Sequence, residues 1–190
     1  MLRLRTATKP AWVDVVLKDF DAFLLDHAAC ERKASATALK LVAHYADRTV
    51  LVREMIPFAQ EELDHFARVM TIILDRGLLP TPDEKDPYVG AMLSWVGRGP
   101  EAFFLDRLLI LGIVEARGCE RFGLVAEALA PGPLKDFYVD ITRSEARHHG
   151  LFVRLAREYF EASRVERRLN ELLEAEAELV DALPLRPAVH

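Results

Sequence analysis

The sequence predicts an all-α protein, a four-helix bundle with one long crossover connection and an added C-terminal helix. Three observations lead there. Apolar residues recur at helical spacing over long stretches, and no convincing period-2 strand interrupts them. Glycine and proline gather at only four places, "DRGLLPTPDEKDPY" (75–88), "VGRGP" (96–100), "APGP" (130–133) and "LPLRP" (183–187). Short breaks join the first helix to the second and the third to the fourth, whereas the second and third are separated by a long one, the mark of a bundle with a crossover.

Taken in order, a short helix near 11–17 precedes a long one at about 19–46, whose stripe is Phe20, Leu24, His27, Glu31, Ala34, Ala38, Leu41 and Tyr45. The second, about 49–75, carries Leu51, Met55, Phe58, Glu62, His65, Val69 and Ile72. Pro57 inside it predicts a kink or a late start, because proline removes a helical hydrogen bond. Leu78–Pro100 forms the crossover, with a further short helix near 87–96. The third helix, about 101–129, places Phe104, Leu108, Leu111, Glu115, Gly118, Phe122, Val125 and Leu129 in line, leaving Glu120 off the stripe as a surface residue. The fourth, about 133–161, has Leu134, Tyr138, Ile141, Phe152, Leu155 and Tyr159. The last, about 164–182, opens on Ser163 and Glu166, the S-x-x-E pattern of a capping box. With 190 residues the expectation is a single domain over 1–190, with its core at about 19–161.

Composition narrows the classes. At 51% hydrophobic and 29% charged residues the chain reads as a globular protein, and no apolar run approaches the roughly 18–20 residues that span a bilayer. The start, "MLRLRTATKP", lacks the apolar core of a secretory signal. Two cysteines, Cys30 and Cys119, make no disulfide framework. The expectation is a cytoplasmic protein with reduced thiols. A net charge of −5 does not by itself point to nucleic acid.

Chemistry enters through residues that do not belong on apolar stripes. Glu145 and His148, in "ITRSEARHHG", complete the buried face of the fourth helix, and burying such groups uncompensated costs several kcal/mol each. Glu62 and His65, in "EELDHF", repeat the spacing on the second. With 17 glutamates and six histidines in 190 residues, chance supplies roughly half an E-x-x-H, yet two occur and both lie on stripes. Glu31 and Glu115 put single carboxylates on the first and third stripes. In an antiparallel hairpin, residues equidistant from the turn face one another. Glu31 and Glu62 are centred on the predicted turn at Ala46–Asp47, and Glu115 and Glu145 are centred on Ala130 in "APGP". Each hairpin thus brings one Glu level with one Glu-x-x-His. Four carboxylates and two imidazoles converging in a bundle are the ligand set of a carboxylate-bridged dinuclear iron or manganese site. Two divalent cations need anionic oxygens to offset their charge and a neutral imidazole each.

These residues also carry a family resemblance. "DHAACERKA" (26–34), "EELDHF" (61–66), "DRLLILGIVEARGCERF" (106–122) and "SEARHHGLFVRLA" (144–156) resemble the MiaE family of ferritin-like tRNA hydroxylases, over roughly residues 20–160. The resemblance implies a ferritin-like fold and hydroxylation of 2-methylthio-N6-isopentenyladenosine at position 37 of tRNA. Position by position it assigns the metal to Glu31, Glu62, His65, Glu115, Glu145 and His148, the six reached from spacing. It further implies two iron ions as cofactor, O2 as co-substrate, an external electron donor such as a reductase or ferredoxin, and the anticodon loop of tRNA as partner. An allylic methyl of the isopentenyl group would lose hydrogen and receive hydroxyl. The base sits in a single-stranded loop, so no duplex need be opened. His149 stands after the ligand histidine where the family pattern leads one to expect an apolar residue.

The ligand set alone leaves iron and manganese both open, and two other activities with them. One is a ferritin-like small-substrate oxidase, peroxidase or manganese catalase. The other is non-catalytic iron binding. Of the remaining residues, Glu61 reads either as an acceptor for a ligand histidine or as a solvated glutamate on the helix surface, His27 as a pocket or core histidine, and Cys30 and Cys119 as small packing residues. Phosphate binding needs local cations, for which the candidates are Arg3, Arg5, Lys9, Arg32, Lys33, Arg143, Arg147, Arg164, Arg167 and Arg168. Some of Arg32, Lys33, Arg143, Arg147 and the Arg164–Arg168 group are expected to share a face with the opening to Glu31 and Glu115.

Overall fold

A computed structural model describes residues 2–82 and 84–190, and of His149 the backbone only, so that the role of the His149 side chain lies outside the described residues. Among the described residues there are seven α-helices and no strand: α1 (Ala11–Lys18), α2 (Phe20–His44), α3 (Thr49–Asp75), α4 (Pro87–Ser94), α5 (Pro100–Ala128), α6 (Pro133–Tyr159) and α7 (Ala162–Ala182). These are the expected elements, with ends shifted by one or two residues. No helix among the described residues is long and apolar enough to cross a membrane.

Helix ends follow local chemistry. Asp19 caps α2 by accepting from the Ala22 N–H at 3.2 Å. Asp86 caps α4 through the N–H groups of Tyr88 and Val89, with Pro87 at the first helical position. The end of α3 is a Schellman motif, in which Leu78 N–H reaches Ile73 O and Gly77 N–H reaches Leu74 O. Gly77 makes that turn at φ 74°, a left-handed conformation that disfavours any side chain. Of the two outcomes expected at Pro57, the late start is excluded, because α3 runs from Thr49 with Pro57 inside it. The Ser163 capping box does not form: α7 begins at Ala162, and Glu166 turns instead toward Arg157 at 3.4 Å.

The chain forms two compact units, and the division falls inside α1. One unit comprises Val15–Glu84 with Pro187–Val189. Its framework is the α2–α3 pair, joined by a four-residue turn. The Ser35 hydroxyl donates to Ala59 O at 2.8 Å, which fixes these helices in the register expected from equidistance about the turn. Leu24, Ala38, Leu41, Leu51, Met55, Phe58 and Val69 are buried as their stripes require, while Ile73 rather than Ile72 closes the lower end. Arg76 grips Asp21 across the open end of the hairpin.

The other unit holds the N-terminal segment to Asp14, Lys85–Arg186 and His190. The α5–α6 pair forms its framework, with α7 and α4 packed upon it. Phe122 and Tyr138 meet at 5.9 Å between ring centroids, again equidistant from the turn. Polar groups bury deeply in this unit. The Arg117 side chain is fully enclosed and makes a two-pronged ion pair with Glu176 of α7, Nε to Oε1 at 2.9 Å and Nη2 to Oε2 at 3.1 Å. Tyr88 donates its hydroxyl to the same Glu176 Oε1 at 2.8 Å, and Arg117 also reaches Glu120 and Thr6 O. Glu120 is therefore no surface residue; it also accepts from the Thr8 N–H and hydroxyl. Burial would lower the Arg117 pKa, but Glu176 and Glu120 overcome it and raise it. Arg168 similarly ties α7 to the α4–α5 connection, through Asp106 at 2.8 Å and Trp95 O at 2.9 Å.

Removing one partner of a buried ion pair leaves an uncompensated charge. Arg117→Met is therefore expected to lower unfolding free energy by about 3–5 kcal/mol in urea titration, and Arg117→Met with Glu176→Leu to recover part of the loss. Burial, then the neighbouring Glu176 carboxylate, hold the Tyr88 hydroxyl well above the usual tyrosine value of 10.0. A raised folded-state pKa means stability present below the unfolded value and lost as pH climbs past it. In an alkaline titration, helix content should fall above about pH 10, and tyrosinate absorbance from Tyr88 should appear only with that loss.

Candidate metal centre

The six ligand candidates are all buried, between 1% and 7% exposed. Within the α2–α3 unit, Glu31, Glu62 and His65 each offer a ligand atom within 4.8 Å of the others. His65 Nδ1 lies 3.7 Å from Glu31 Oε2 and 3.9 Å from Glu62 Oε2. Within the α5–α6 unit the pattern repeats. His148 Nδ1 lies 3.9 Å from Glu115 Oε2 and 3.2 Å from Glu145 Oε2, and these three residues also fall within 4.8 Å of one another. In each unit one imidazole nitrogen faces two carboxylates, one from its own helix three residues earlier and one from the paired helix.

The donor chemistry fits a cation. Each triad sets two carboxylates against one neutral imidazole, so an ion is the natural compensation for the buried negative charge. The nitrogen–oxygen separations of 3.7–3.9 Å are longer than a hydrogen bond. They lie within the roughly 4.0–4.4 Å that two ligands can span when each sits about 2.0–2.2 Å from a shared first-row ion, whereas His148 Nδ1 and Glu145 Oε2, at 3.2 Å, are in hydrogen-bond reach. Oxygen with imidazole, and no thiolate, suits iron or manganese.

A family profile described as tRNA-(MS[2]IO[6]A)-hydroxylase (MiaE) matches residues 2–190. The chain belongs to the MiaE family. A tRNA 2-(methylsulfanyl)-N(6)-isopentenyladenosine(37) hydroxylase of Pseudomonas putida is 33% identical to it, over 92% of this chain and 85% of that protein. The enzyme of the same name from Salmonella typhimurium is 27% identical, over 93% and 83%. Among solved structures, a protein with aldehyde deformylating oxygenase activity from Synechococcus superposes with a TM-score of 0.90 at 33% identity, covering 98% of this chain and 93% of that one. The fold class is thus the all-helical, ferritin-like one, and this MiaE-family chain is an oxidoreductase.

Residues around each triad divide by what they touch. His27 is fully buried and its Nε2 lies 2.7 Å from Glu31 Oε1, a contact that sequence reasoning placed only as far as a pocket. Glu61 is half-buried. Cys119 points its thiol at Thr142 O at 3.6 Å; burial, then Glu145 and Glu115, push its pKa up to about 11, so it stays a neutral packing thiol. Of the proposed phosphate contacts, Arg168 is committed to Asp106, Trp95 O and Glu171, and Arg164 to Glu101 and the Phe160 ring. Arg5 reaches Asn170, and Lys9 reaches Asp181. Arg32, Arg143, Arg147 and Arg167 are exposed, and Lys33 half-buried with its amine toward Glu84 O.

If these triads hold metal, Glu62→Ala and His148→Ala should each keep the helical fold yet lose bound metal, read as metal per chain by elemental analysis beside circular dichroism.

Proposed function

We propose that the two triads close on one another as a single dinuclear iron centre within one domain, held by Glu31, Glu62, His65, Glu115, Glu145 and His148. We further propose that this centre hydroxylates the isopentenyl group of 2-methylthio-N6-isopentenyladenosine at position 37 of tRNA. The observation that carries the reading is the matched pair of triads, one per hairpin, each with an imidazole nitrogen between two carboxylate oxygens. Membership of the MiaE family over residues 2–190 supports the substrate.

A bound iron pair supplies redox chemistry in which a C–H bond, O2, two electrons and two protons give C–OH and water. The protein does the rest. Its four glutamates supply the negative charge that makes a pair of cations tolerable in a buried site. His65 and His148 present Nδ1 to those carboxylates, and Nδ1 must be unprotonated to act as a donor. Buried side chains keep bulk water from each triad, Met55, Phe58 and Val69 in one unit and Phe122, Ile141 and Phe152 in the other. Outside the centre, exposed Arg143 and Arg147 on α6, and Arg32 beside Glu31 on α2, are the groups we assign to anticodon-loop phosphates. A separate reductase or ferredoxin delivers the electrons, and the cytoplasm, where tRNA is found, is the compartment.

The decisive assay supplies iron, O2, a reductant and tRNA bearing the methylthio-isopentenyl nucleoside. Mass analysis of the digested tRNA should find that nucleoside heavier by one oxygen with the wild type and unchanged with Glu145→Ala. A metal-loaded wild type that leaves the nucleoside untouched while rapidly consuming peroxide would make this a small-substrate oxidase.

A further inference from the structure

The α2–α3 hairpin carries a recess that the proposed metal centre does not use. Leu25, Ala28 and Ala29 line it from α2, and Phe66, Met70 and Ile73 from α3, each set recurring at helical spacing. Alanine at 28 and 29 gives the α2 wall no bulk to set against Phe66 and Met70, and a cavity of about 190 Å3, open on one side, is left between the helices. Beyond the Gly77 turn the chain passes along the rim with Pro80 and Thr81. Lys33 ties that segment to α2 by donating to Glu84 O at 3.4 Å. All of these residues belong to the Val15–Glu84 unit. Arg32 follows Glu31 and Phe66 follows His65, and each residue along a helix is turned by about 100° from the one before. The recess therefore lies on another side of both helices than the triad.

Its lining is one-sided in chemistry. Ala28 and Ile73 are buried apolar floor, Thr81 brings a single hydroxyl, and among the described lining residues Arg32 is the only charged one. No carboxylate stands among those residues to receive a cation. Apolar cavities of about 150 Å3 accept a guest the size of benzene, so the recess has room for one ring or a branched chain of similar bulk. A guanidinium at the edge of such a cavity suits the planar, two-oxygen geometry of a carboxylate. We propose that this recess binds a small organic anion, an aryl or branched aliphatic carboxylate whose apolar body lies between Ala29 and Phe66 and whose head meets Arg32. The site depends neither on metal nor on the hydroxylation proposed above. Arg32 is also the group assigned above to an anticodon-loop phosphate, so the two anions are alternatives at one guanidinium and the test is made without tRNA.

The probes are phenylacetate and its neutral counterpart 2-phenylethanol, each titrated into the full chain. Calorimetry gives the affinity, and the methyl resonance of Met70 gives the location. Wild type should bind phenylacetate about 10-fold or more tighter than the alcohol, the margin of a charge-assisted hydrogen bond, and both probes should shift the Met70 methyl. Arg32→Gln should keep the alcohol's affinity and bring phenylacetate down to the same level. Ala29→Leu, which puts a side chain into the recess, should lose both probes at unchanged helix content by circular dichroism. If wild type binds neither probe, or binds them without moving the Met70 methyl, there is no such site. Equal affinity for the two probes, or an advantage for phenylacetate that survives in Arg32→Gln, overturns the assignment of an anionic head to Arg32. A folded Ala29→Leu that takes up phenylacetate as the wild type does overturns the location.

Discussion

Burying carboxylates is the constraint on which this protein is organised. Glu31 and Glu62 in one helical pair, and Glu115 and Glu145 in the other, occupy positions that helical periodicity assigns to leucine or phenylalanine. Each triad sets a single imidazole against two carboxylates, with His27 added behind Glu31. Such an arrangement calls for something positive to repay the lost hydration, and the 3.7–3.9 Å from His65 Nδ1 to Glu31 and Glu62 and from His148 Nδ1 to Glu115 leaves room for an ion. Stability and chemistry are thereby coupled. On the proposed reading, bound metal is what lets the hairpins tolerate the acidic residues, and helix packing has already brought the candidate ligands level. Ser35 on Ala59 O, and Phe122 on Tyr138, set that level in the two units by contacts that involve no ligand.

A second set of buried charges solves the same problem differently. Arg117, Glu176, Tyr88, Glu120 and Thr8 satisfy one another within the protein. The network joins α5 to α7, to the start of α4 and to the N-terminal segment, so elements distant in sequence are held to the rigid α5–α6 pair. Nearby Arg121 shows the limit of such sharing. Burial, then repulsion from Arg117, bring its pKa down to about 10, while its guanidinium rests over the Trp12 ring and its Nε donates to the Thr8 hydroxyl at 3.3 Å. The contrast between the two sets is informative about function. A buried network that closes on itself is structural, whereas triads with two acids to one base call for an ion from outside.

What the sequence revealed tracks the range of the interactions involved. Helix positions, and the burial and grouping of the six candidate ligands, were legible because both rest on local periodicity and on equidistance from short turns. Glu62 and His65, or Glu145 and His148, announce themselves within a single turn of helix. The Arg117–Glu176 pair does not. Its members stand 59 residues apart, and each looks, within its own helix, like an ordinary charged residue. Glu120 was misplaced for the same reason: its partner Thr8 comes from a segment with no periodicity to read. The run that holds Arg164 and Arg168 shows its charge in the sequence and hides its partners, Glu101 and Asp106. His190, stacked on Tyr88 and 3.5 Å from Asp86, carried no signal at all.

The ligand set explains oxidative chemistry but does not choose a substrate. Similarity to a protein with aldehyde deformylating oxygenase activity, at 33% identity and a TM-score of 0.90, equals in identity the similarity to a tRNA hydroxylase. One helical scaffold therefore serves more than one reaction, as expected when function resides in the site and its approaches rather than in the fold. What must separate the reactions is whatever controls access to the metal and the freedom of its ligands. An aldehyde needs only a channel for a small molecule. A modified adenosine within an anticodon loop needs a mouth at the surface, with cations placed for phosphates. Arg143 and Arg147, exposed on the helix that carries Glu145, are the cations of this chain that we assign to that contact.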